Sequence, residues 1–86
     1  MKAKQIYKIR LDLVDGSGKA MRIWNPGKYS RIYRAYAWIE RTKDRIEEKG
    51  GTVIASEIWD TEKNACVEAK QYLTFEKLSG IVKVPR

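Results

Sequence analysis

Residues 30–51, SRIYRAYAWIERTKDRIEEKGG, hold the one sustained helical period in the chain, and segments of strand character stand on both sides of it. Asn25-Pro26-Gly27 precedes it as a turn signal, with Pro preset for the second turn position and Gly free to take a positive φ at the third. Ser30 is the predicted N-cap, its hydroxyl placed to accept from a free backbone N–H of the first turn. Gly50-Gly51 is the predicted stop, because Gly tolerates the left-handed conformation that follows a helix. At about 100° per residue, Ile32, Ala35, Tyr36, Ile39 and Ile46 fall on one stripe that must face a core.

Before the helix, Gln5 to Val14 alternates in the manner of a half-buried strand. Tyr7, Ile9, Leu11 and Leu13 share one face, and Ile6, Lys8, Arg10 and Asp12 share the other. Asp15-Gly16-Ser17-Gly18 breaks the run, and Lys19 to Trp24 resumes it. A three-residue loop at Gly16-Ser17-Gly18 sets Leu13 opposite Met21 and Leu11 opposite Ile23, whereas a longer loop would turn Met21 to the wrong face. The same register pairs Asp12 with Arg22 and Arg10 with Trp24 on the outer face.

After the helix, Thr52–Trp59 and Ala65–Leu73 are β-rich around the turn-like segment Asp60–Asn64. Their alternation is poor. Val53 and Trp59 fall on one face, Ile54 and Ile58 on the other, and no register follows. Residues 74–79 have the pattern of a single helical turn, and Ile81–Val84 that of a short edge strand. The order ββαββ plus this short C-terminal strand predicts an α+β fold. Its antiparallel sheet has four or five strands, with the long helix packed on one face. At 86 residues the chain is predicted to be one domain, 1–86, with a small core.

Net charge is +7 and unevenly placed: residues 1–49 hold 13 Lys+Arg against 6 Asp+Glu, and residues 50–86 hold 5 of each. Within the helix the charges are segregated. Arg31, Arg34, Arg41, Arg45 and Lys49 line one flank around Trp38, while Glu40, Asp44, Glu47 and Glu48 line the other. The i,i+4 pairs are mostly like-signed (Glu40/Asp44, Arg41/Arg45, Asp44/Glu48, Arg45/Lys49), with Lys43/Glu47 the attractive one. Each like pair costs a few tenths of a kcal/mol. Arg31 and Arg34 also stand near the positive end of the helix dipole. The i,i+3 pairs Arg41/Asp44 and Arg45/Glu48 are the local contacts that could relieve this arrangement.

Chemistry of other kinds finds few residues to work with. There is no His, and Cys66 is the single cysteine, so no internal disulfide forms. In its strand Cys66 is expected to act as a small buried hydrophobe. Gly16-Ser17-Gly18-Lys19 has the wrong spacing for a phosphate-binding loop and joins two strands rather than opening a helix. Glu57, Asp60 and Glu62 gather near a turn with no His or Cys beside them, as at a solvated hairpin tip. We therefore expect no catalytic role, no metal and no cofactor. No run of apolar residues is long enough for a membrane span, and MKAKQIYKIR lacks the apolar core of a secretory signal. A cytoplasmic setting is expected.

Two basic surfaces remain. The first is the helix ridge of Arg31, Arg34, Arg41, Arg45 and Lys49 with Trp38 as an aromatic contact. The second is the outer face of the first hairpin, Lys8, Arg10 and Arg22 beside Trp24, extended by Lys2 and Lys4. The ridge is preferred because its segregation has an energetic cost. The expected partner is nucleic acid, DNA or RNA, held through its phosphates. The alternative is a homodimer or adaptor without nucleic-acid binding, in which Ile6, Trp24 and an apolar set of the second hairpin share the outer sheet face. A membrane-surface role is disfavoured, since the helix spends its apolar stripe on the core.

Overall fold

Alternating apolar residues on the two strands of the first hairpin need a cover, and the amphipathic helix supplies it. The structure, a computed structural model, describes residues 4–73. Five elements follow in chain order: β1 (Tyr7–Val14), β2 (Ala20–Trp24), α1 (Ile32–Glu48), β3 (Thr52–Asp60) and β4 (Ala65–Gln71). The strands form one sheet in the order β2-β1-β3-β4, every neighbouring pair antiparallel. This is the predicted α+β arrangement. The expected helical turn at 74–79 and strand at 81–84 lie outside the described residues, as does Lys2.

The first hairpin has the predicted register, with Leu13 opposite Met21, Leu11 opposite Ile23, Asp12 opposite Arg22 and Arg10 opposite Trp24. Its loop closes at Asp15 and Lys19, where Asp15 N–H donates to Lys19 O at 2.9 Å. Gly18 takes φ 89°, which a three-residue loop requires at its last position. One oxygen of Asp15 accepts from Ser17 N–H, Ser17 Oγ and Lys19 N–H at 2.9, 2.6 and 3.0 Å. These bonds, that from the Ser17 hydroxyl foremost, hold the Asp15 carboxyl below its ordinary range. The stabilisation is complete above the unfolded value of about 3.9 and is lost as pH falls through the depressed folded value. Acid titration of the thermal midpoint should therefore show a loss below about pH 4 that shrinks in Asp15→Ala.

The second hairpin shows why its pattern resisted reading. Two bulges break the alternation. Asp12 pairs with Ala55 and Leu13 with Val53, so Ile54 is the extra residue; Ile58 pairs with Glu68 and Trp59 with Cys66, so Val67 is the other. The bulge at Ile54 shifts the phase of β3 by one, which lets Val53 and Ile58 both reach the core despite their odd spacing. Tyr72 N–H closes this irregular corner on Ile54 O at 2.8 Å.

The core lies between α1 and the centre of the sheet: Ile9, Leu11 and Leu13 from β1, Val53 and Ile58 from β3, Ala35 and Ile39 from α1. Burying each of the larger ones contributes about 1.5–3 kcal/mol. Of the predicted helical stripe, Ala35 and Ile39 are buried and Ile32 and Ile46 half-buried, while Tyr36 remains 42% exposed at the edge. The helix starts later than predicted. Arg31, not Ser30, occupies the N-cap, with extended backbone and no side-chain bond to the first turn. Its end follows the glycine rule: Gly50 takes φ 84°, Gly50 N–H donates to Glu47 O at 3.0 Å, and Gly51 N–H to Ile46 O at 2.9 Å.

Asn25 does more than mark a turn. It is 3% exposed, its Oδ1 accepts from Ile9 N–H at 2.8 Å, and its Nδ2 donates to Gly27 O at 2.6 Å. The chain leaves the sheet edge here and returns at Tyr29, which bridges Tyr7. Asn25 thus fills with its side chain the backbone position that β2 vacates. Asn25→Ala should cost about 1–3 kcal/mol by leaving Ile9 N–H buried without an acceptor. Urea unfolding of the two proteins measures this directly.

Candidate nucleic-acid interface

The helix presents its two charged flanks to opposite sides of the sheet. Tyr36, Ile39 and Glu40 line a cleft of about 180 Å³ with Ser56 and Ile58 of β3, Glu68 and Lys70 of β4, and Tyr72. The acidic flank therefore overhangs β4, and the flank carrying Arg34, Arg41 and Arg45 faces the β2 side. There β2 turns Met21 toward the helix side of the sheet, 42% exposed.

The acidic flank has cations of its own. Lys43 Nζ lies 2.8 Å from Glu47 Oε1, and that bond raises the Lys43 pKa above its ordinary value. Lys43 and Lys70 both stand over the Tyr72 ring, at 5.7 and 5.0 Å from its centre. Burial first, and then the Glu68 carboxylate, push the Tyr36 phenol upward.

The basic flank has no such compensation among the described residues. Among the described residues, none of Arg31, Arg34, Arg41, Arg45 and Lys49 forms an ion pair within 4.0 Å. The local pairs Arg41/Asp44 and Arg45/Glu48 do not close. All five residues are exposed, and Arg34 lies over the Tyr33 ring at 5.9 Å. The first turn contains no acidic residue, so Arg31 and Arg34 meet the positive end of the helix uncompensated. Trp38 is half-buried and packs against the core, so the ridge is flanked by an aromatic edge rather than a free ring.

The second candidate surface is of another character. On the outer face Arg10 Nη2 lies 2.6 Å from Glu57 Oε1 and 3.5 Å from Asp12 Oδ2, while Arg22 Nε donates to Asp12 Oδ1 at 2.9 Å. Lys8 stands 5.1 Å from the centre of the Trp24 ring, and Lys4 reaches Glu62 at 3.3 Å. These cations are matched by partners within the fold. The charged network also occupies the middle of the face expected to be apolar, between Trp24, 45% exposed, and Trp59. Glu57 is the member that sequence pattern missed, because only the β1–β3 register sets it opposite Arg10.

The remaining candidates have structural roles. Asp60 is buried and accepts from Glu62 N–H and Lys63 N–H, both at 3.0 Å, which folds the tip of the second hairpin. With Glu57 on the outer face and Glu62 beside Lys4, the three carboxylates diverge. In the loop at Gly16–Gly18, Asp15 already takes the N–H groups of Ser17 and Lys19. Cys66 is exposed rather than buried, because it stands opposite Trp59 on the outer face of the sheet, away from the helix, where its thiol points toward Glu57. No helix among the described residues is long and apolar enough to cross a membrane. Comparison with protein-family models, with curated proteins and with solved structures finds no match.

Proposed function

We propose that this domain binds nucleic acid through the helix ridge of Arg31, Arg34, Arg41, Arg45 and Lys49. The observation that carries this reading is the contrast between the two basic surfaces: among the described residues, the cations of the outer sheet face are paired, and those of the ridge are not. Unpaired guanidinium groups in a row keep their full capacity for bidentate contacts to phosphate oxygens. Arg34 and Arg45 are eleven residues apart on a helix rising about 1.5 Å per residue, so the ridge spans roughly 16 Å between them, enough for several phosphates. The role is binding rather than catalysis. The exposed thiol of Cys66 favours a reducing cytoplasm as its setting.

Anisotropy titration of labelled duplex and single-stranded DNA and RNA at about 50 and 200 mM salt tests the reading. Binding should weaken by orders of magnitude across that interval if several phosphates are neutralised. With Trp38 packed against the core, duplex is expected to bind at least as well as single strand. Absence of binding to every strand type at the lower salt would sink the proposal.

A further inference from the structure

Within the described sheet β4 is an outer strand, and every residue from Ala65 to Gln71 is exposed. Tyr72 N–H faces β3, donating to Ile54 O. Backbone groups alternate along a strand, so Lys70 and Glu68 also turn theirs toward β3, while Ala69 and Gln71 direct theirs to the side away from β3. The side chains of Glu68 and Lys70 stand on the helix side of the sheet, where they line the cleft with Tyr36 and Glu40.

We propose that two copies of this chain pair antiparallel along β4 with Ala69 at the two-fold axis, joining their four-stranded sheets into one. In that register Ala69 N–H and C=O exchange hydrogen bonds with the partner's Ala69, using the groups that face outward. Glu68 falls opposite the partner's Lys70, and Lys70 opposite the partner's Glu68. Both are non-hydrogen-bonded positions, where side chains approach most closely. Neighbouring registers lose this match. Centring on Glu68 opposes two carboxylates, centring on Val67 sets Glu68 against Cys66, and centring on Gln71 sets Lys70 against Tyr72. The charge pattern of the strand is self-complementary about one residue.

The axis is perpendicular to the sheet, so both helices lie on the same face and the two basic ridges point away from the interface. The bulge at Val67 limits regular pairing to a few residues on each side of Ala69. The dimer is therefore expected to dissociate on dilution rather than to be obligate. This inference does not depend on what the ridge binds.

Sedimentation equilibrium of the full chain over a wide concentration range tests it. The mass should rise from 10.0 kDa toward twice that value. Ala69→Pro removes an outward N–H, which an edge strand tolerates, and should leave a folded monomer by circular dichroism. Glu68→Lys should weaken association roughly tenfold or more by making both cross-strand pairs repulsive, and adding Lys70→Glu should restore it. A monomer at every concentration, or a dimer indifferent to both Ala69→Pro and Glu68→Lys, would overturn the proposal.

Discussion

Changing Arg34, Arg41 and Arg45 together to Glu is expected to weaken nucleic-acid binding more than about a hundredfold and to leave cooperative unfolding intact. The three side chains are exposed and hold no ion pair among the described residues, so their loss breaks no ion pair there and gives up only the exposed contact of Arg34 with the Tyr33 ring. Arg34→Glu sets a carboxylate near the positive end of the helix, a gain of about 0.3–1 kcal/mol. Arg45→Glu turns the repulsive pair with Lys49 into an attractive one. Stability and binding should thus move apart. If the three arginines each neutralise a phosphate, the slope of log K against log salt should also flatten by about 2.7. Arg10→Glu with Arg22→Glu is the contrasting variant. It breaks the ion pairs to Glu57 and Asp12 and should lower stability. Binding that survives the ridge variant and fails in the hairpin variant would transfer the interface to the outer sheet face.

Leu11→Ala carries the largest expected cost to stability. Leu11 is 0% exposed on β1, opposite Ile23 of β2 and Ser56 of β3, and belongs to the cluster that α1 covers with Ala35 and Ile39. Removing its isobutyl group leaves a cavity between two sheet neighbours and a helix, at a cost of about 2–5 kcal/mol. Domains of this size have little more than that in reserve. The melting temperature should fall by about 10–30 °C, since each kcal/mol shifts a small domain by several degrees. Ile23→Ala, at a half-buried position on an outer strand, should cost clearly less. Calorimetry of the three proteins decides, and a loss under about 1 kcal/mol for Leu11→Ala would contradict the packing described here.

The first hairpin was legible because unbroken alternation and a glycine-defined loop leave one register that keeps Leu11, Leu13, Met21 and Ile23 on a common face. The second was not, because Ile54 and Val67 are bulged and alternation counts every residue as if it were paired. Asn25 was readable only as a turn former; that its amide stands in for a missing ladder bond depends on the chain returning at Tyr29. Ser30 had the right chemistry for a cap one residue before the position that became the cap. At the candidate interface, the grouping of Arg34, Arg41 and Arg45 on one flank was visible from helical spacing. Whether Asp44 and Glu48 reach them, and whether Glu57 reaches Arg10, depends on side-chain geometry and strand register that spacing does not contain.

The order β2-β1-β3-β4 places the seam between β1 and β3 at the middle of the sheet, and this has a kinetic consequence. Both hairpins and the helix are made of neighbours in sequence and can form within microseconds. Joining Val14 to Thr52 is different, because it closes a loop of roughly 37 residues that contains the whole helix. Search for that seam is therefore expected to set the folding rate. Substitutions along it, at Leu11 or Ile58, should slow folding in stopped-flow measurements, whereas substitutions confined to β4 should act mainly by letting the finished molecule open faster.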